Sequence, residues 1–86
     1  MSTLTLETEP LAVDLMVDST SLRVSLDDGR ELAVPLAWFP RLRDASDAER
    51  ANWRLIGRGE GIHWPEIDED ISVRGLLAGH RRAHAA

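Results

Sequence analysis

Eighty-six residues, with 43% hydrophobic and 29% charged side chains, describe one globular domain with a modest core and exclude a disordered chain. There is no cysteine, so disulfides and thiolate metal sites are excluded as staples. A formal net charge of −5, and no apolar run near the roughly 18 residues of a membrane span, argue against a domain that wraps nucleic acid or crosses a bilayer.

Residues 1–10 read as a flexible leader. They carry Glu7 and Glu9 and lack the basic and apolar regions of a signal peptide, which makes the cytoplasm the expected address. From Leu11 the chain alternates: Leu11, Val13, Leu15 and Val17 are interleaved with Ala12, Asp14, Met16 and Asp18. That period of two predicts a half-buried strand with Val13 on the apolar face. Asp18-Ser19-Thr20-Ser21 is a polar turn, and Leu22, Val24 and Leu26 alternate in a second strand. Asp27-Asp28-Gly29 is a hairpin signal, because Asp and Gly tolerate the positive φ of tight turns. Leu32, Val34 and Leu36 predict a third strand. Pro35 cannot donate a ladder hydrogen bond, so that strand ends there or lies at an edge.

Ala37-Trp38-Phe39-Pro40-Arg41-Leu42 breaks the alternation and predicts a short helical turn whose rings cap the sheet. Ser46-Asp47-Ala48-Glu49 is a capping box opening a helix from Asp47 to about Trp53. Arg54-Leu55-Ile56 is expected to be a short strand before Gly57. Pro65 pushes the residue before it out of the helical region, so Ile62-His63-Trp64 should be extended. Ser72 is a cap for a last helix carrying Val73, Leu76 and Leu77 and ended by Gly79. The sum is α+β: an antiparallel meander of about three strands, a short helix, an extended Gly/Trp/acidic segment and a C-terminal helix. Residues 11–79 form the single domain, and residues 80–86 are a basic C-terminal tail.

The run Gly57 to Ser72 holds three glycines, His63, Trp64, Pro65 and five carboxylates, and no Lys or Arg stands between Glu60 and Asp70. The hairpin with its Asp-Gly turn, then Pro-Leu-Ala-Trp-Phe-Pro-Arg-Leu, Ala-Glu-Arg-Ala-Asn-Trp and Gly-Glu-Gly-Ile-His-Trp-Pro-Glu-Ile-Asp-Glu-Asp-Ile-Ser-Val-Arg-Gly-Leu-Leu, resembles a bacterial family catalogued as domain of unknown function twenty-four forty-two. The likeness covers nearly everything from Leu11 to Gly79, and the Ile62-to-Leu77 signature is its most specific part. It implies a small α+β fold, no established enzymatic activity, and bacterial or phage origin. Members are often encoded beside another short protein in what looks like a toxin–antitoxin arrangement. Some members carry a following helix-turn-helix. This chain stops too soon after Gly79 to hold one.

Three chemistries compete for the acidic segment. His63, Glu66, Asp68 and Asp70 have the donor types of a divalent-metal site, and in an extended segment the three carboxylates would share one face. Their spacing fits neither a helical His-Glu-x-x-His site nor an EF-hand loop. The structural alternative makes Asp68 and Asp70 caps of the turn and the last helix, with Glu66 and Glu69 solvated. Gly57, Gly59 and Gly61 superficially look like a phosphate loop, but they lead into Ile-His-Trp-Pro and acid, which repels phosphate. From Val73 onward Arg74, Arg81 and Arg82 stand with His80 and His84 and no acid, so nucleic acid is expected only at this Arg-rich end, if the end is not simply a solvated terminus.

The leading expectation is a non-enzymatic protein-interaction module with no cofactor, bound by a small basic partner encoded nearby or by a second copy in a homodimer. Its contact residues are His63, Trp64, Glu66, Asp68, Glu69 and Asp70, with Trp64 either facing the partner or packed in the core. The alternatives are a DNA-associated regulator and a metal-assisted enzyme built around His63.

Overall fold

The computed structural model describes residues 9–80, so the predicted leader up to residue 8 and the tail from residue 81 lie outside the described residues. Three strands, β1 (Ala12–Val17), β2 (Ser21–Leu26) and β3 (Glu31–Pro35), form an antiparallel sheet in chain order. This is the predicted meander. At Asp27–Gly29 the Leu26 N–H donates to the Arg30 carbonyl and Gly29 sits at φ +93°, the left-handed position that closes a three-residue hairpin loop. β3 ends at Pro35 and lies at the sheet edge, as a residue without an N–H requires.

One expectation about β1 is corrected. Ala12 pairs with Leu26 but Asp14 pairs with Ser25, so Val13 is the extra residue of a β-bulge. The bulge turns Ala12 inward and leaves Val13 56% exposed, which reverses the predicted alternation at that point. Leu15 falls back into phase and is buried. The reason lies across the molecule: the Ala12 N–H donates to the Gly59 carbonyl at 2.8 Å, and the inward turn of Ala12 brings its backbone to that loop.

After β3 the chain makes a 3-10 turn (Leu36–Trp38) and then α1 (Pro40–Arg43), with Pro40 at the start of the helix where a missing N–H costs nothing. Leu36, Phe39 and Leu42 are buried, and Trp38 packs half-buried beside them. α2 (Asp47–Ala51) opens on the predicted capping box: Ser46 Oγ accepts from Glu49 N–H at 3.1 Å and Glu49 Oε1 accepts from Ser46 N–H at 2.8 Å. It stops at Ala51 rather than Trp53, because Asn52 leaves the helical region and Trp53 already leads into a strand.

The second half holds more β structure than the sequence reading expected. β4 (Arg54–Ile56), β5 (Gly61–Trp64) and β6 (Glu69–Ser72) form a second antiparallel three-stranded sheet, and α3 (Val73–Leu77) follows directly. Ser72 Oγ caps α3 by accepting from Gly75 N–H at 2.8 Å. Gly79, at φ +80°, ends it as predicted.

Both sheets and the helices contribute to one apolar cluster, which includes Leu22, Val24, Leu36 and Leu42 from the first half and Ile62, Trp64, Ile71 and Val73 from the second. Gly59 joins the halves. It is buried at φ +116°, and a Cβ there would stand 2.3 Å from the Ala12 carbonyl oxygen. Among the described residues no helix is long and apolar enough to cross a membrane.

Two outcomes are expected. Gly59→Ala should destabilise the domain by about 1–3 kcal/mol from φ alone, and by more because the obstructing atom is backbone; a chemical melt within error of the wild type would contradict this. Asp18 Oδ1 accepts N–H bonds from Thr20 and Ser21, both at 2.8 Å, which lowers its pKa from 3.8 to about 2. A carboxyl lowered in the folded state contributes stability that is present above its ordinary value and lost as pH falls toward 2. Asp18→Ala should therefore lower the melting temperature at pH 6, with the gap to wild type closing between about pH 4 and pH 2.

Candidate functional site

The signature segment folds as the β5–β6 hairpin. Pro65 holds Trp64 extended, and the loop 65–68 closes with Asp68 at φ 53°, a left-handed conformation that Asp tolerates better than most residues. The register then fixes which side chains meet. Ile62 pairs with Ile71 and Trp64 with Glu69 on the inner face, while Gly61 pairs with Ser72 and His63 with Asp70 on the outer face. Arg54 of β4 pairs with His63, so Arg54, His63 and Asp70 form a row across the outer face.

The six expected contact residues thus divide. Trp64 is fully buried, and its indole Nε1–H donates to the Arg50 carbonyl at 3.0 Å. Of the two roles offered for this ring the structure places it in the core. Glu69 was expected to be solvated and is instead 2% exposed, since its register position opposite Trp64 points it inward. Arg41 reaches toward it: Nη1 donates to the Asp68 carbonyl at 2.7 Å and lies 4.0 Å from Glu69 Oε1. Glu66 and Asp68 are exposed in the turn. Asp70 is exposed on β6 and does not cap the last helix; Ser72 alone does so.

His63 is the central polar group of the outer face, with 20% of its side chain exposed. A carboxylate only accepts, so the His63 Nδ1–H donates to Asp70 Oδ1. This oriented imidazole–carboxylate pair fixes the position of the Asp70 charge. The structure does not gather His63, Glu66, Asp68 and Asp70 into one face. Glu66 and Asp68 belong to the turn and only Asp70 to the strand beside His63. Among the described residues no group of three or more His, Cys, Asp or Glu side chains stands close enough to hold a metal ion.

Next to Asp70 lies a groove of about 140 Å3 between β6 and α3, floored by Phe39, Ile71 and Leu76 and flanked by His80. Sequence reasoning did not identify it, because Phe39 is remote in the chain from the other lining residues. Its one local trace is Gly75, a poor helix former inside a five-residue helix. Arg74, the described arginine of the predicted basic end, is ion-paired with Glu9.

The placement of Trp64 sets a graded expectation. Trp64→Ala should cost about 3–5 kcal/mol, enough to unfold a domain of this size or nearly so. Trp64→Phe retains most of the burial and loses the bond to Arg50, for a cost nearer 1–3 kcal/mol from a part-buried carbonyl left without this donor and a partly filled cavity. Denaturant melts of both variants check the order; equal midpoints for Trp64→Ala and wild type would show the ring contributes nothing to packing.

Known structures share this architecture. A crystal structure of a protein of unknown function from Rhodospirillum rubrum is similar at 34% identity and a TM-score of 0.77, over 91% of this chain and 96% of that one. The solution structure of an uncharacterized protein from Chromobacterium violaceum is similar in fold at 21% identity and a TM-score of 0.72, over 86% of this chain and 70% of that one. No curated protein matches. The model of the family described as protein of unknown function (DUF2442) matches residues 12–82, and this chain belongs to that family.

Proposed function

We propose that this chain is a non-enzymatic protein-interaction module of the cytoplasm, the antitoxin-like member of a pair with a small basic protein encoded nearby. The observation that carries the reading is the β5–β6 turn. Glu66 and Asp68 stand exposed at its tip, while Trp64 and Glu69 at its base are buried in the core. A turn anchored in this way holds like charges at a defined place, which suits electrostatic steering of a basic partner more than it suits packing. The net charge of −5 acts in the same direction. The second short protein that the family resemblance implies alongside is the partner this reading takes.

The two alternatives receive less support. A metal-assisted enzyme needs the His63, Glu66, Asp68 and Asp70 donors to converge, and the hairpin register separates the two turn carboxylates from the His63–Asp70 pair. Ser72, the hydroxyl of the same face, is engaged as the cap of α3. A DNA-associated regulator needs free cations at the C-terminal end; Arg74, the one arginine of that end among the described residues, pairs with Glu9.

The test is the association rate with the co-encoded protein. The double variant Glu66→Gln/Asp68→Asn should keep the wild-type melting temperature and slow association by roughly tenfold at low ionic strength. The gap should narrow as added salt screens the charges, with dissociation little changed. Identical association rates at low salt would overturn the reading.

A further inference from the structure

We propose that Asp28–Gly29 is the site at which this chain converts spontaneously to isoaspartate, and that Arg30 is the residue that holds the conversion in check. The inference is independent of the interaction reading above. Asp28–Gly29 is the one Asp-Gly step in the sequence, and Asn-Gly is absent. The Gly29 backbone nitrogen attacks the Asp28 side-chain carboxyl carbon, Cγ, forming an N–Cγ bond and releasing water to give a five-membered succinimide. Hydrolysis of the N–Cγ bond restores aspartate. Hydrolysis at the main-chain carbonyl instead leaves the chain running through Cβ and Cγ, as isoaspartate. Water is the only co-reactant, and nothing is oxidised or reduced. A glycine nitrogen is the least hindered attacker, because the residue has no Cβ.

Two groups must be free for the attack, and the structure engages both. The Gly29 N–H donates to the Leu26 carbonyl at 3.1 Å inside the hairpin loop. The Asp28 carboxylate is held at both oxygens by one residue. Oδ1 accepts the Arg30 backbone N–H at 3.1 Å, and Oδ2 accepts Arg30 Nε–H at 2.9 Å with Nη2 2.8 Å away. A carboxyl held in this way is not free to rotate into the attacked position. The side-chain bond first, and the backbone bond second, also keep the Asp28 carboxyl below its ordinary pKa. Ring closure loses water from the acid form, and the clamp makes that form scarce. Both side chains face solvent, 41% of Asp28 and 58% of Arg30, so the clamp slows the reaction and does not forbid it.

The loop ties two parts of the first sheet together, which is why its covalent integrity matters. Across it the Leu26 N–H donates to the Arg30 carbonyl. Beside it Asp27 and Leu11 share two bonds, Asp27 N–H to the Leu11 carbonyl and Leu11 N–H to Asp27 Oδ1. Isoaspartate adds one backbone carbon between Leu26 and Arg30 and so disturbs the pairing that closes the hairpin.

The test is a warm, mildly acidic incubation of the full chain, with isoaspartate located by electron-transfer mass spectrometry. Folded wild type should convert at Asp28 several-fold more slowly than the same chain unfolded in guanidinium chloride. Arg30→Ala should convert about two- to fivefold faster than folded wild type, the range that an exposed ion pair controls. Arg30→Lys, which keeps the charge and loses the Nε–H contact, should fall between them. Amide exchange at Leu26 and Gly29 separates the clamp from a loosened hairpin. Faster conversion with unchanged exchange is the expected result; conversion and exchange rising together would overturn the role given to Arg30. Equal rates for Arg30→Ala and wild type, equal rates for folded and unfolded wild type, or earlier isoaspartate at another aspartate would each overturn the proposal.

Discussion

Two three-stranded sheets, each too small to enclose a core alone, meet where the Gly59 carbonyl accepts from the Ala12 N–H. That contact depends on a buried glycine at φ +116° and on a bulge in β1 that turns Ala12 inward. Much else follows from it. With the β4–β5 loop held against β1, the second sheet can present Ile62, Trp64 and Ile71 to the same cluster that Leu22 and Val24 enter from the first. The Val73 N–H donates to the Glu60 carbonyl from the neighbouring position, so the start of α3 is tied to the same loop.

Trp64 completes this arrangement from the other end of β5. Its ring fills the shared core and its indole nitrogen bonds to the end of α2 through the Arg50 carbonyl. Arg50 in turn donates from Nε to the Leu42 carbonyl at 3.1 Å and from Nη2 to the Arg43 carbonyl, which links the two middle helices. Carbonyls at a helix C-terminus need donors, and here two side chains supply them across elements. The hairpin that carries the acidic turn is therefore fixed both by burial and by directed hydrogen bonds. A surface that must offer its charges in a set geometry gains from such a base, because little ordering is left for the moment of binding.

The polar face of the second sheet is organised on the same pattern. Arg54, His63 and Asp70 lie in one cross-strand row, and the His63–Asp70 bond orients the Asp70 carboxylate on that face. The acidic turn and this row belong to the same β5–β6 hairpin.

Local sequence determined the elements whose causes are local. The first meander, the Asp-Gly loop, the Ser46–Glu49 capping box, the Ser72 cap and the Gly79 stop were legible, because alternation, caps and left-handed glycines act within a few residues. The tertiary structure decided what depends on partners distant in the chain. Val13 faces outward because Ala12 must reach Gly59, a contact across 47 residues that no window of alternation contains. Glu69 is buried because the hairpin register sets it opposite Trp64, and a run of four acids and two isoleucines gives no hint of which carboxylate turns inward. The same register separates Glu66 and Asp68 from His63, and it brings Asp70 to the imidazole. Residue types marked this segment as polar and turn-rich; pairing across the sheet, which is a property of two strands and not of one, assigned each side chain its face.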